Sequence, residues 1–311
     1  MIMSDYEPPP YRPPNEAGSV LLRVSRGCPW NRCAFCDMYK RIRFEKRPLG
    51  ELERDIKAAR EIYGSSAREL FIGDSNSLSV KELPEVLKIV YSEFPKLERV
   101  TSYARASTLK RLGADRLKVI KEAGLTRVHV GLESGDAKTL ELMNKGTTPE
   151  VMIEGAHEAK MAGLEVSEYV LLGAGGMARW KEHAVETARV LSAIDPDFIR
   201  MRTLTIQQGT PLSEMVKSKQ FEPVTPLVRL EETLVIVSGL EVTDTELASD
   251  HITNYLYVDG RLVYDGVAGH LPEAKNDLVK HISKTLEFLK NTDGEIWDSN
   301  YMLERGYIVG L

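Results

Sequence analysis

The sequence predicts an α/β fold: a partial (β/α)6 TIM-type barrel with a mainly helical C-terminal extension. Three observations predict it. Between Ser19 and Arg202, short apolar runs alternate with helically spaced segments, the pattern of βαβ units on a parallel sheet. Turn clusters such as GDSNSLS (Gly73–Ser79) and GAGG (Gly173–Gly176) stop the runs. Conspicuous polar residues collect just after those runs, and barrels of this class carry function at the C-terminal ends of their strands.

The elements follow in order. Ser19–Ser25 (SVLLRVS) reads as the first strand, and Leu52, Ile56, Ala59 and Tyr63 share one face of a helix over Pro48–Tyr63. Glu69–Ile72 is the second strand and Val80–Phe94 the second helix. Arg99–Tyr103 is the third strand, with a helix over Ala114–Ala123 stopped by Gly124. Thr126–Leu132 is the fourth strand, followed by helices over Ala137–Met143 and Pro149–Ala162. Glu165–Leu172 is the fifth strand, Lys181–Ile194 its helix, and Phe198–Leu204 the sixth strand. Six units fall short of a closed eight-fold barrel, so a partial one is expected. From Pro211 onward, turns and helices dominate, with Val228–Gly239 and Leu271–Leu289 the clearest. Residues 1–17 then form an extended Pro-rich arm, 18–212 the barrel, and 213–311 an extension that closes it.

The chain has 311 residues, 42% hydrophobic and 28% charged, enough for a large core. Its net charge of −5 argues against wrapping nucleic acid, which needs clustered positive charge. No apolar run approaches ~18 residues, so no membrane span is expected. The start, MIMSDYEPPPYRPPNEAG, lacks the basic and apolar regions of a secretory leader. The expectation is a cytoplasmic chain whose thiols stay reduced.

Those thiols are few and close together. GCPWNRCAFCDMY (Gly27–Tyr39) holds all three cysteines, Cys28, Cys33 and Cys36, in a Cx4Cx2C array. Structural zinc closes with four ligands, and no histidine lies nearby in sequence before His129. A disulfide with one spare thiol suits a reducing compartment poorly. An iron–sulfur cluster, normally held by four cysteines, would keep one iron open on three. A cluster, a zinc ion and unreactive thiols all remain open from these residues alone.

The array resembles the radical S-adenosylmethionine (radical SAM) superfamily, whose three cysteines follow the first strand with an aromatic residue before the last, here Phe35. Later blocks strengthen the likeness. AGLTRVHVGLESGDAKTLELMNKGTT (Ala123–Thr148), YVLLGAGG (Tyr169–Gly176) and PDFIRMRTLTIQQGTPL (Pro196–Leu212) are similar to blocks of the subgroup of oxygen-independent coproporphyrinogen oxidases and methylthiotransferases. The first cysteine gap departs from the commoner pattern by one extra residue.

The resemblance implies a [4Fe–4S] cluster on Cys28, Cys33 and Cys36, with S-adenosylmethionine (SAM) on the open iron. The reduced cluster would cleave SAM to a 5′-deoxyadenosyl radical that acts on a small or medium organic substrate. A flavodoxin- or ferredoxin-type electron donor is implied too. Phe35 would place its backbone near the adenine, and Gly73, Asp74 and Ser75 would take the methionine ammonium. Arg105 would meet the methionine carboxylate, as arginine forms charge-assisted bonds to carboxylates. Glu133, with Ser134 beside it, would accept from the ribose hydroxyls. Ser167 or Tyr169 would face the adenosine, and Gly173, Gly175 and Gly176 would let backbone approach it.

Each residue also has a plainer structural reading. Asp74 could make an Asx-turn, Arg105 a surface ion pair, and Glu133 a helix cap.

On the substrate side, coproporphyrinogen oxidases carry a fourth cysteine where this chain has Met38. No cysteine remains for a second cluster, and no cobalamin-binding domain is expected before Ser19. KRIRFEKR (Lys40–Arg47) offers charge to an anion or donor protein, or simply a solvated face. In SDHITNY (Ser249–Tyr255), His251 is a candidate for proton transfer. Arg200 and Arg202 share a face of the sixth strand. Modification of RNA or a peptide, and a non-catalytic zinc-stabilised binding protein, stay open as alternatives.

Overall fold

A computed structural model describes residues 6–307; the first five residues of the arm and the last four of the extension lie outside it. The chain runs β1 (Val20–Arg23), α1 (Leu49–Tyr63), β2 (Glu69–Gly73), α2 (Leu83–Glu93), β3 (Arg99–Ala104) and α3 (Ala106–Glu122). It continues through β4 (Arg127–Glu133), α4 (Ala137–Leu142), α5 (Pro149–Met161), β5 (Glu165–Leu172), α6 (Gly176–Ile194) and β6 (Phe198–Thr203). The remainder holds α7 (Pro211–Lys217), α8 (Pro226–Gly239), β7 (Thr245–Ala248), β8 (Ala268–Leu271) and α9 (Lys275–Lys290). Strands alternating with helices give the expected α/β class, and all six expected strands form.

The first compact unit comprises the described residues of Met1–Asn31, Met38–Gly131 and Glu150–Val166. Its strands stand in the order β1-β2-β3-β4. They pair in parallel, Val20 with Leu70, Leu70 with Val100, and Thr101 with Arg127. α1 packs on β1, and Leu52, Ile56 and Ala59 form its buried face as the periodicity predicts. On the other face of the strands, Phe71 meets Tyr103 edge to face at 5.1 Å and His129 at 6.3 Å.

The third helix is longer than its sequence suggests. It begins at Ala106 and bends at Gly113, which takes φ 69. The Ala114 amide there donates to Glu158 Oε2 at 2.6 Å. The sequence reading found only the half after this glycine, because a Gly-Ala step looks like a helix start.

The Pro-rich arm is tied down along its described length. The Tyr6 hydroxyl donates to the Leu21 carbonyl. Glu7 pairs with Arg23 and Arg26, each at 2.6 Å. Pro9 is buried against Gly73, where a Cβ would stand 2.2 Å from the proline ring. Glu16 is fully buried and accepts from Ser19 at 2.6 Å and Arg99 at 2.9 Å, with His129 at 3.3 Å. Burial opposes its charge, but the hydrogen bonds from His129 and Ser19 outweigh it and hold the carboxyl below its ordinary range.

The second compact unit comprises Arg32–Asp37, Leu132–Pro149 and the described residues of Ser167–Leu311. Its strands stand in the order β5-β6-β7-β8. β5 pairs with β6 and β6 with β7 in parallel, and β8 runs antiparallel to β7. Besides its helices, the extension thus adds β7 and β8 to the sheet. Short strands Leu256–Val258, Arg261–Tyr264 and Ile296–Asp298 form a separate small sheet. Among the described residues, no helix is long and apolar enough to cross a membrane.

Phe71 has no exposed surface and two aromatic neighbours, so Phe71→Ala should cost about 3–5 kcal/mol. Urea unfolding checks this, and an unchanged midpoint would contradict the packing described.

Candidate active site

The cysteine segment begins where β1 ends. β1 continues into Ser25–Arg26, a two-residue strand paired antiparallel with Glu45–Lys46, so the segment between is a loop closed at its base. Gly27 starts it at φ 77, and a Cβ there would stand 2.8 Å from the Ile42 carbonyl oxygen. Only glycine suits that position.

Two residues after β2 hold Gly27 in place. Its amide donates to Asp74 Oδ2 at 2.9 Å, and Ser75 Oγ donates to its carbonyl at 3.1 Å. Asp74 is fully buried and also accepts from Arg23 Nε at 3.0 Å. Burial pushes its carboxyl above the ordinary range, against the pull of Arg23. Its Oδ1 has no hydrogen-bond partner among the described residues. Cys28 is half-buried, and its Sγ accepts from the Asn31 amide at 3.4 Å. In the gap between Cys28 and Cys33, the Trp30 ring lies 5.5 Å beneath the Arg105 guanidinium. The Arg105 amide donates to Asn76 Oδ1 at 3.3 Å.

One arginine of the basic segment after the cysteines is absorbed into ion pairs. Arg47 is buried and bonds Asp55 at 2.5 Å and Glu51 at 3.3 Å.

In the second unit, Ala34 is pinned between two backbone partners. Its amide donates to the Met143 carbonyl at 2.8 Å, and its carbonyl accepts from the Leu212 amide at 3.0 Å. Cys33 and Cys36 flank that anchor, the first buried and the second half-buried. Phe35 packs against the apolar cluster of Ala34, Met143, Leu204, Leu212 and Phe221. The NKGTT and GTPL blocks therefore act on the cysteine segment through Met143 and Leu212.

Glu133, at the end of β4, has φ 62, a strained value for a residue with a side chain. Its carboxylate pairs with Lys145 at 2.6 Å. Ser134 is buried, with its Oγ 2.7 Å from His183 Nδ1. His183 Nε2 approaches Glu232 Oε1 at 3.2 Å, and Glu232 Oε1 accepts from the Gly173 amide at 2.7 Å. A buried Ser134–His183–Glu232 chain thus links the loop after β4 to the loop after β5. His183 and Glu232 escaped the sequence reading, since an isolated histidine and glutamate on helices carry no motif.

Asp136 caps α4 through the Thr139 amide at 2.9 Å and pairs with Arg179 at 2.9 Å. Although burial opposes it, the Arg179 bond helps hold its carboxyl down at about 2.

Ser167 and Gly173 lie six residues apart, along β5 and into the turn after it. Six residues of strand at ~3.3 Å each put them roughly 20 Å apart. Glu168 points to the opposite face of β5 from Ser167 and Tyr169, and burial pushes its carboxyl up to about 8. His251 caps a short 3-10 turn, with Nδ1 2.8 Å from Thr253 Oγ1. Burial, and then the positive charge of Arg202, hold it down at about 4, so it is neutral at pH 7. That value suits a hydrogen-bonding role better than acid catalysis near neutrality. Its neighbour Asn254 is a buried staple, bonding the Met201 and Ser249 carbonyls at 3.0 and 2.9 Å.

A histidine whose pKa falls on folding binds its proton more weakly folded than unfolded. Acidification from pH 6.5 to about 4 should therefore remove stability, and His251→Gln should shrink that loss. Arg202→Gln should raise the His251 pKa yet leave it under 6.5, since burial is the larger cause. NMR titration of the imidazole checks both, and an unmoved pKa in Arg202→Gln would contradict the assignment.

Comparison with known proteins matches residues 22–189, more than half of the chain, to the radical SAM superfamily. The uncharacterized methyltransferase PH0819 of Pyrococcus horikoshii is 28% identical over 197 residues, covering 62% of this chain and 41% of that protein. A biotin synthase of Pelotomaculum thermopropionicum is 29% identical over 183 residues, covering 58% of this chain and 54% of the synthase. The matches thus span about half or less of these relatives' lengths.

Among solved structures, the cobalamin-dependent SAM radical enzyme OxsB aligns with a TM-score of 0.53 at 16% identity, covering 68% of this chain and 40% of OxsB. The radical SAM methyltransferase TsrM from Kitasatospora setae aligns at 0.50 and 17% identity, covering 63% of this chain and 39% of TsrM. At such identities the likeness shows the fold. Members of the matched family are enzymes that use a [4Fe–4S] cluster and SAM, and this chain belongs to the radical SAM superfamily.

Proposed function

We propose that this chain is a radical SAM enzyme in which Cys28, Cys33 and Cys36 hold a [4Fe–4S] cluster, and that it acts on a small or medium organic substrate. One observation carries the reading. The three thiols, the chain's whole supply, lie in one nine-residue segment braced by buried backbone bonds, in a chain of this family. Three soft donors suit a cluster with one open iron. Among the described residues no three His, Cys, Asp or Glu side chains already stand at metal-binding distance. Ligation therefore rests on the donor chemistry. When bound, the cluster supplies an electron to the SAM sulfonium, whose C–S bond breaks to leave methionine and a 5′-deoxyadenosyl radical.

The chain's own residues orient and enclose. Asp74 and Ser75 fix Gly27 and thereby aim Cys28. Met143 and Leu212 fix Ala34 and thereby aim Cys33 and Cys36. Phe35, seated in apolar packing, keeps water from that side. Arg105, steadied on Trp30, is the group suited to the methionine carboxylate. Glu133, held by Lys145, accepts from the ribose hydroxyls. Ser134 and Gly173 already bond to His183 and Glu232, so they shape their loops from behind. The substrate, the electron donor and a cytoplasmic location are part of this proposal.

Anaerobic reconstitution with iron and sulfide tests it. The wild type should hold about four irons and as many labile sulfides and form 5′-deoxyadenosine from SAM under dithionite. Cys28→Ala, Cys33→Ala and Cys36→Ala should each lose that product by at least about a hundredfold while keeping the wild-type far-UV spectrum, since removing one ligand opens the cluster. Bound zinc with no labile sulfide would overturn the reading.

A further inference from the structure

β6 has two unlike faces. Ile199 and Met201 are fully buried on one, while Arg200 and Arg202 are half-buried on the other. In register, Tyr169 lies opposite Arg200 and Leu171 opposite Arg202. The Arg202 guanidinium stands over the Tyr169 ring at 5.9 Å, and that of Arg200 over the Phe198 ring at 5.4 Å. Ser167, two residues before Tyr169, shares this face and is fully buried.

Among the described residues two donors here have nothing to donate to: Arg200 Nε and Ser167 Oγ are both buried without a hydrogen-bond partner. Among the described residues no carboxylate stands within ion-pair distance of Arg200. Glu168, opposite Ile199, points to the other face of the sheet; Glu246, opposite Phe198, has a half-exposed carboxylate 3.8 Å from His270. His251 is neutral at pH 7 and supplies no negative charge. Two guanidiniums on alternate residues of one strand repel each other, and a buried unpaired donor is costly. An oxyanion seated between them relieves both, because arginine presents a planar fork matched to carboxylate and phosphate.

We propose that Arg200, Arg202 and Ser167 form an oxyanion subsite, and that the substrate carries a carboxylate or phosphate group. That the anion belongs to the substrate rests on the radical SAM reading; that an anion binds here does not.

Calorimetric titration of the reconstituted full-length protein, in a phosphate-free chloride buffer, tests the subsite with inorganic phosphate and with succinate as probes. At least one should bind saturably. Arg200→Gln and Arg202→Gln should each weaken that binding about tenfold or more, the loss expected for a charge-assisted bond. Arg189→Gln, on an exposed pair with Glu186 in α6, should leave it unchanged. Arg200→Lys, which keeps the charge and loses the fork, should weaken it less than the Gln variant and serves if that variant does not fold.

Preference for succinate would mark a carboxylate, and preference for phosphate a phosphate. Failure of the folded wild type to bind either probe, or wild-type affinity in both Gln variants, would overturn the proposal. SAM cleavage by the wild type is scored separately. Anion binding without cleavage would leave the subsite standing and sink the enzyme reading, and cleavage without anion binding would do the reverse.

Discussion

The Asp74 carboxylate accepts from the Gly27 amide at 2.9 Å and from Arg23 Nε at 3.0 Å, and all of this takes place out of contact with water. Few single contacts in the molecule constrain so much. β1 and β2 pair in parallel up to Arg23 and Gly73, so the residues just beyond each strand must be reconciled at that point. Arg23 brings a charge into an apolar strand, and Asp74 answers it. The same carboxylate oxygen fixes the first backbone group of the cysteine segment. The segment's entry is thus set by a buried ion pair, and removing Asp74 would leave Arg23 with Glu7 as its ion-pair partner and the Gly27 amide without its acceptor.

The second unit applies the same physics to its own part of the segment. Ala34 is held by backbone bonds to Met143 and Leu212, which depend on no side-chain identity and resist substitution well. Ser134, His183 and Glu232 join the loops after β4 and β5 through buried polar contacts. Each unit braces its own part of the cysteine segment with buried bonds, and β6 carries half-buried arginines.

Much of the fold was legible because it rests on periodicity. The strands Glu69–Gly73 and Glu165–Leu172 announce themselves as apolar runs stopped by glycine. The first half of α3 was missed because Gly113 reads as a boundary, although the chain resumes its helix after it. β7 and β8 were missed because TELA and AGHL are too short to show alternation.

The site was legible as a set of residue types and not as a set of contacts. The cysteine spacing left a cluster, a zinc ion or unreactive thiols open, and the resemblance to the radical SAM superfamily singled out the cluster. Nothing in GDSNS foretold that Asp74 would turn inward to Arg23, since that depends on which strand lies beside β2. The arm's Pro9, pressed on Gly73, and its buried Glu16 were likewise invisible, because a proline-rich start carries no pattern that tells a seated segment from a loose one.

We propose that Asp74 serves the cysteine segment and not the SAM ammonium. The most direct measurement is the iron and labile-sulfide content of reconstituted Asp74→Ala beside wild type, with SAM binding measured on the same samples. If Asp74 positions the segment, the variant loses most of its cluster while its far-UV spectrum stays native. A variant that keeps the full cluster and loses only SAM binding would contradict the claim.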